Sequence, residues 1–105
     1  MRSTRDAEYD VFARVTRMLR QASDRRDRRD IIAAVAKNTE LWTLLAFDLA
    51  EPGNGLPDDA KAGLISLAGF QIRHGQSVMA GEAVTQPLID INMTVMRGLR
   101  GEVGA

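Results

Sequence analysis

Leu41-Trp42-Thr43-Leu44-Leu45-Ala46-Phe47-Asp48-Leu49-Ala50, stopped by Glu51-Pro52-Gly53-Asn54-Gly55-Leu56-Pro57, is the stretch that decides the fold. Leu41, Leu44, Leu45 and Leu49 recur at three- and four-residue steps, with Trp42 beside them. That is the period of a helix, not the alternation of a strand. Pro52 lacks a backbone N–H and the glycines favour turn conformations, so the helix stops there. Pro57 suits the first position of a new helix, with Asp58 and Asp59 in its positive first turn. Gly53 or Gly55 at positive φ would make this loop a fixed corner.

The pattern repeats outward from this turn. A helix over roughly 57–80 presents Leu64, Leu67, Ala68 and Ile72, and Gly63 and Gly69 in it suggest close contact with a neighbour. Gly81-Glu82-Ala83-Val84-Thr85 is the next connection, and Pro87 opens a last helix. Leu88, Ile91, Val95 and Leu99 form one stripe of that helix, with Ile89, Met93 and Met96 on an adjacent one. Gly101 and Gly104 are expected to fray its end.

Towards the N-terminus, residues 4–22 read as an amphipathic helix with Thr4 as a candidate N-cap. Val11, Val15 and Leu19 line one side, widened by Phe12, Met18 and Ala22, while Arg14, Arg17 and Gln21 lie opposite. Ser23-Asp24 ends that helix or caps the next. Ile31 to Ala36 resumes helix, and Asn38-Thr39 marks a break or recapping before Glu40. The whole chain, 1–105, reads as a single all-α domain, a small bundle of four to five helices.

Composition narrows the function. Apolar residues make up 45% of the chain, and 14 basic residues balance 14 acidic ones. Nucleic-acid binders usually carry a basic excess, because phosphate neutralisation supplies most of their affinity. The absence of Cys excludes disulfides, thiol redox chemistry and thiolate metal sites. No apolar run reaches the ~20 residues that span a bilayer, which points to a soluble, cytoplasmic protein. Asp24-Arg25-Arg26-Asp27-Arg28-Arg29-Asp30 is the strongest charge run, and its interleaved acids suit a solvated loop better than a phosphate patch.

Catalytic candidates are few. His74 is the only His, and positions 70, 71, 77 and 78 are Phe, Gln, Ser and Val, so no acid stands at helical spacing to partner it. Asp48 and Asp90 interrupt apolar helices. Asp90 would sit in the first turn after Pro87, and Asp48 would bond an Arg or a neighbouring terminus. Pro52-Gly53-Asn54-Gly55 lacks the Gly-Lys-Ser/Thr ending of a phosphate loop. The reading is a protein without catalytic, metal or cofactor sites.

What remains is surplus apolar surface. Leu88, Ile91, Val95 and Leu99 can face the bundle, which would leave Ile89, Met93 and Met96 looking outward with Trp42 close by. Aromatic and Met side chains at helical spacing suit a groove for a partner's amphipathic helix, and these four are the candidate partner-binding residues.

Leu41-Trp42 with Asp48, the Pro52-Gly53-Asn54 turn ending in Leu56-Pro57, and Pro87-Leu88-Ile89-Asp90-Ile91-Asn92 together resemble the FlaF family of flagellar biosynthesis regulators. Ala62 to Ala68 between them, and Glu8-Tyr9-Asp10-Val11-Phe12 with Val15-Thr16, extend the resemblance over nearly the whole chain. Members usually carry a further stretch ahead of the Glu-Tyr pair. The resemblance implies a role in flagellin synthesis and secretion, as a counterpart of the regulator FlbT. It makes flagellin the expected partner, held through its terminal amphipathic helices. The alternatives are a regulator contacting flagellin mRNA or DNA through Arg25–Arg29, and a scaffold that binds FlbT.

Overall fold

The computed structural model describes residues 4–99, with side chains from Ala7 onward. Four helices form it: α1 (Thr4–Arg25), α2 (Arg28–Ala50), α3 (Asp58–Met79) and α4 (Gln86–Leu99). The expected all-α bundle holds, and the breaks fall at 26–27, 51–57 and 80–85. The capping role of Thr4 and the fraying at Gly101 and Gly104 lie outside the described side chains and residues.

The first turn is made by a residue the sequence reading passed over. Arg26 adopts φ 54, and its N–H donates to the Ser23 carbonyl at 3.2 Å. α1 therefore runs on past Ser23-Asp24. Asp27, extended at φ −91 and ψ 112, then caps α2 by accepting from the Asp30 N–H. Its carboxylate satisfies one of the donors that a helix start leaves unpaired.

α2 is continuous through Asn38 and Thr39, where a break was expected. Asn and Thr are weak helix formers on their own, but Asn38 is fully buried, and tertiary bonding overrides that preference. α3 ends in a Schellman motif at Gly81 (φ 80): the Gly81 N–H donates to Val78 O at 3.0 Å, and the Glu82 N–H to Ser77 O at 2.9 Å. α4 starts from Thr85, whose carbonyl accepts from Leu88 and Ile89.

Two glycine expectations are corrected. Gly81 is the only described Gly at positive φ, so Gly53 and Gly55 are not the corner of their loop. Asn54 organises it instead: its Oδ1 accepts from the Leu56 N–H at 3.0 Å, and its amide donates to the Asp48 carbonyl and carboxylate, both at 3.3 Å. Nor do Gly63 and Gly69 mediate close helix contact. A Cβ at Gly63 would meet nothing within 4 Å, and one at Gly69 would meet only Arg73 of its own helix. The close approach is at Gly75, where a Cβ would lie 3.1 Å from Val35 and 3.3 Å from Thr39 of α2.

Each helix packs on its neighbours in the chain, and α4 returns against α1. This leaves α2 and α4 facing each other across the bundle. Two apolar clusters fill it. One gathers Leu19, Ala22, Ala34, Val35, Val78, Leu88 and Ile89 at the end holding the α1–α2 and α3–α4 turns. The other gathers Phe12, Trp42, Ala68 and Met96 towards the opposite end. The connections at the first end are tied together by side chains. Ser23 Oγ donates to Leu19 O at 2.7 Å, which leaves the Thr85 hydroxyl as donor in the 2.5 Å Ser23–Thr85 bond. Arg28 donates to the Met79 carbonyl across the ends of α2 and α3.

Candidate partner-binding surface

The four residues expected to meet a partner are placed first by their burial. Trp42 is 0% exposed, Ile89 and Met96 are buried, and Met93 is half-buried against both apolar clusters. The second stripe of α4 therefore faces the core, not solvent. This inward turn has a physical origin. Counting apolar residues passes over Asn92, whereas the buried face of α4 is Leu88, Ile89, Asn92 and Met96, with Asn92 at its centre. Ile91, Val95 and Leu99, expected to face the bundle, are half-buried and pack against the second cluster.

Asn92 is the hub of a buried polar layer between the two clusters. Its Oδ1 accepts from Trp42 Nε1 and from Gln71 Nε2, each at 2.9 Å. Its amide donates to Asn38 Oδ1 at 2.8 Å, and Gln71 Nε2 also reaches Leu88 O at 3.2 Å. All four side chains are fully buried. The layer thus joins α2, α3 and α4, bridging the diagonal pair that has no close backbone approach. Phe12 of α1 meets Trp42 edge-on, with centroids 5.6 Å apart. Trp42 is a structural anchor, fixed on its edge and on its nitrogen.

An open apolar surface lies on another side of α2. Here α1 and α2 leave a groove of about 420 Å³ between them. Val11, Val15, Met18, Leu41 and Leu44 supply its apolar lining, and Arg14, Lys37 and Glu40 its charged lining. Leu44 is 61% exposed, and Phe47, three residues on, is 68% exposed. Burying the exposed part of either side chain against a partner would contribute at most about 1.5–3 kcal/mol of apolar transfer.

The helix geometry explains the groove. On α1 the core positions are Phe12, Val15, Thr16, Leu19 and Ala22, so Val11 and Met18 fall at the margin of the buried stripe. On α2 the core positions Val35, Asn38, Trp42 and Leu49 put Leu41 and Leu44 at a margin as well. The two margins face each other. A second depression of about 470 Å³ shares Val11 and Arg14 and runs on to Ala7, Asp10 and Arg17 along α1.

The remaining candidates have structural partners. His74 Nε2 bonds the Val84 carbonyl at 2.8 Å, and its ring stacks on Phe70. Asp90 is exposed and lies beyond the first turn of α4, where it accepts from Gln86 Nε2 at 2.8 Å. Asp48 is exposed and bonded by Asn54, not by an Arg. In the charge run, Arg25 pairs with Asp30 at 3.4 Å and Arg28 holds the Met79 carbonyl. Half of the four arginines are thus engaged in holding turns.

Among known families, the model for flagellar protein FlaF matches residues 1–99, and the chain belongs to that family. No curated relative and no solved structure matches it. No described helix is long and apolar enough to cross a membrane.

Proposed function

As a member of the FlaF family the chain is a flagellar protein, and we propose that it works in the cytoplasm as a non-catalytic chaperone for flagellin that promotes flagellin synthesis and export. The observation that carries this reading is the open groove between α1 and α2, with Leu44 exposed in its lining and Phe47 exposed three residues further along α2. Helix-in-groove recognition needs an apolar trough with a polar rim, and a closed helical bundle with surplus apolar margins supplies one. Flagellin ends are long amphipathic helices that self-associate when exposed. Covering one of them would keep the subunit monomeric until export.

A side-by-side pull-down with purified flagellin, FlbT and flagellin transcript tests the reading. Flagellin should be retained directly by the parent chain and lost with Leu44→Gln, whose melting temperature should stay near the parent's. Retention of the transcript or of FlbT alone would replace the chaperone by the nucleic-acid regulator or the scaffold. Retention of flagellin undiminished by Leu44→Gln would move the binding surface away from this groove.

A further inference from the structure

We infer that the groove between α1 and α2 selects amphipathic helices that carry carboxylates along one flank, with Arg14 and Arg17 as the selecting residues. The inference rests on the groove being the chain's binding surface and adds which helices it prefers.

Arg14 lines both depressions and Arg17 lines the second, so the two residues stand one helical turn apart on α1, Arg14 at the edge of the apolar trough and Arg17 in the depression that continues it. Both are exposed. Among the described residues neither forms an ion pair or a side-chain hydrogen bond, whereas Lys37 on the facing margin is paired with Glu40 at 3.5 Å. The α2 side of the groove is therefore close to charge-neutral, and the α1 side, with Arg14 and Arg17 against Asp10, is net positive. A helix laid in the trough along α1 would have one flank beside those cations. The combined run of the two depressions from Ala7 to Met18 is about 17 Å at 1.5 Å per residue, so such a helix can contact it over about three turns. A guanidinium presents a planar fork that suits carboxylates, and glutamates at three- or four-residue spacing would match the Arg14–Arg17 step. Lysines in the same places would be repelled. Charge of this kind sets orientation and partner choice, while the apolar contact supplies the bulk of the affinity.

The test uses the full-length protein and two synthetic peptides of roughly 18 residues, about five turns. Both carry the same leucine stripe and a glutamine flank; the other flank is Glu in one peptide and Lys in the other. Binding is followed by fluorescence anisotropy at low and moderate salt. The Glu peptide should bind roughly tenfold more tightly than the Lys peptide at low salt, and the gap should narrow as salt screens it. Arg14→Gln/Arg17→Gln should reduce that preference at least roughly fivefold while still binding both peptides. Leu44→Gln should weaken both peptides alike. Equal affinities for the two peptides, or a preference that survives the double Arg variant, would overturn the inference. So would a parent chain that sediments as a dimer and becomes monomeric with Leu44→Gln, because the groove's occupant would then be a second copy. Peptides that bind as expected, together with flagellin that does not, would leave this selectivity standing and remove the flagellin reading instead.

Discussion

At the scale of single residues, two left-handed positions and one buried amide hold most of the decisive information. Arg26 at φ 54 carries a steric penalty of about 1–2 kcal/mol that a glycine would avoid, partly offset by the greater freedom of glycine in the unfolded chain. Arg26→Gly should therefore raise the melting temperature or leave it level, and a clear fall would mean the Arg26 side chain stabilises the turn. Gly81 is the opposite case. It completes the Schellman motif at φ 80 with the Arg28 guanidinium 3.4 Å from where a Cβ would stand. Gly81→Val should cost on the order of 1–3 kcal/mol in urea denaturation, whereas Gly53→Val, in open space without positive φ, should be nearly silent. Asn92 is the most exposed to error of all, since removing it strips partners from Trp42, Gln71 and Asn38 together. A buried donor or acceptor left unpaired costs about 1–3 kcal/mol, so Asn92→Ala should lower stability by roughly 3 kcal/mol or more. The lone Trp42 gives the readout, as its emission should shift red in any species where its nitrogen meets water. An Asn92→Ala protein as stable as the parent would show that the polar layer contributes little.

At the scale of elements, the same residues explain what the sequence discloses and what it withholds. The helices and their order follow from apolar spacing, Pro57 and Pro87, because those signals act locally. The register of α2 and the orientation of α4 do not follow, because each is decided by an amide. Asn38 reads as a helix break, and Asn92 drops out of a count of apolar stripes, when each is judged alone. Their mutual bond at 2.8 Å, together with the Trp42 and Gln71 bonds to Asn92, is what holds both of them in the interior. Gln71 carries no local signal either, since nothing in α3 announces that a helix bearing Trp42 and Asn92 lies opposite. The misreading of Ile89 and Met96 follows directly: with Asn92 turned inward, its neighbours at i−3 and i+4 turn inward with it. Met96 is 8% exposed and accepts from the Thr16 hydroxyl at 3.8 Å. Met96→Ala should therefore act as a core truncation, costing about 2–5 kcal/mol in a denaturant titration. A stability change near zero would return Met96 to the surface.

At the scale of the whole molecule, the burial of that stripe moves the proposed binding surface from α4 to the facing margins of α1 and α2. Val11, Met18, Leu41 and Leu44 were visible in the sequence as parts of apolar stripes, but spacing alone did not reveal which margins stay uncovered. That depends on α4 packing against α1 on one side and leaving the α1–α2 seam open on the other. The arrangement also separates the groove from the basic turn. Arg25, Arg26, Arg28 and Arg29 sit where α1 hands over to α2, beyond the groove's last residue on α1, Met18, and its first on α2, Lys37. Replacing all four arginines by Gln should consequently leave flagellin affinity within a few-fold of the parent in a calorimetric titration. Some stability should be lost, because Arg28 no longer holds the Met79 carbonyl and Arg25 no longer faces Asp30. The exposed Arg25–Asp30 pair is worth less than about 1 kcal/mol, so most of that loss should reproduce in Arg28→Gln alone. Flagellin binding abolished in a quadruple variant that still melts cooperatively would shift the contact to the basic turn. It would also favour an electrostatic partner, whose binding should fall steeply with salt.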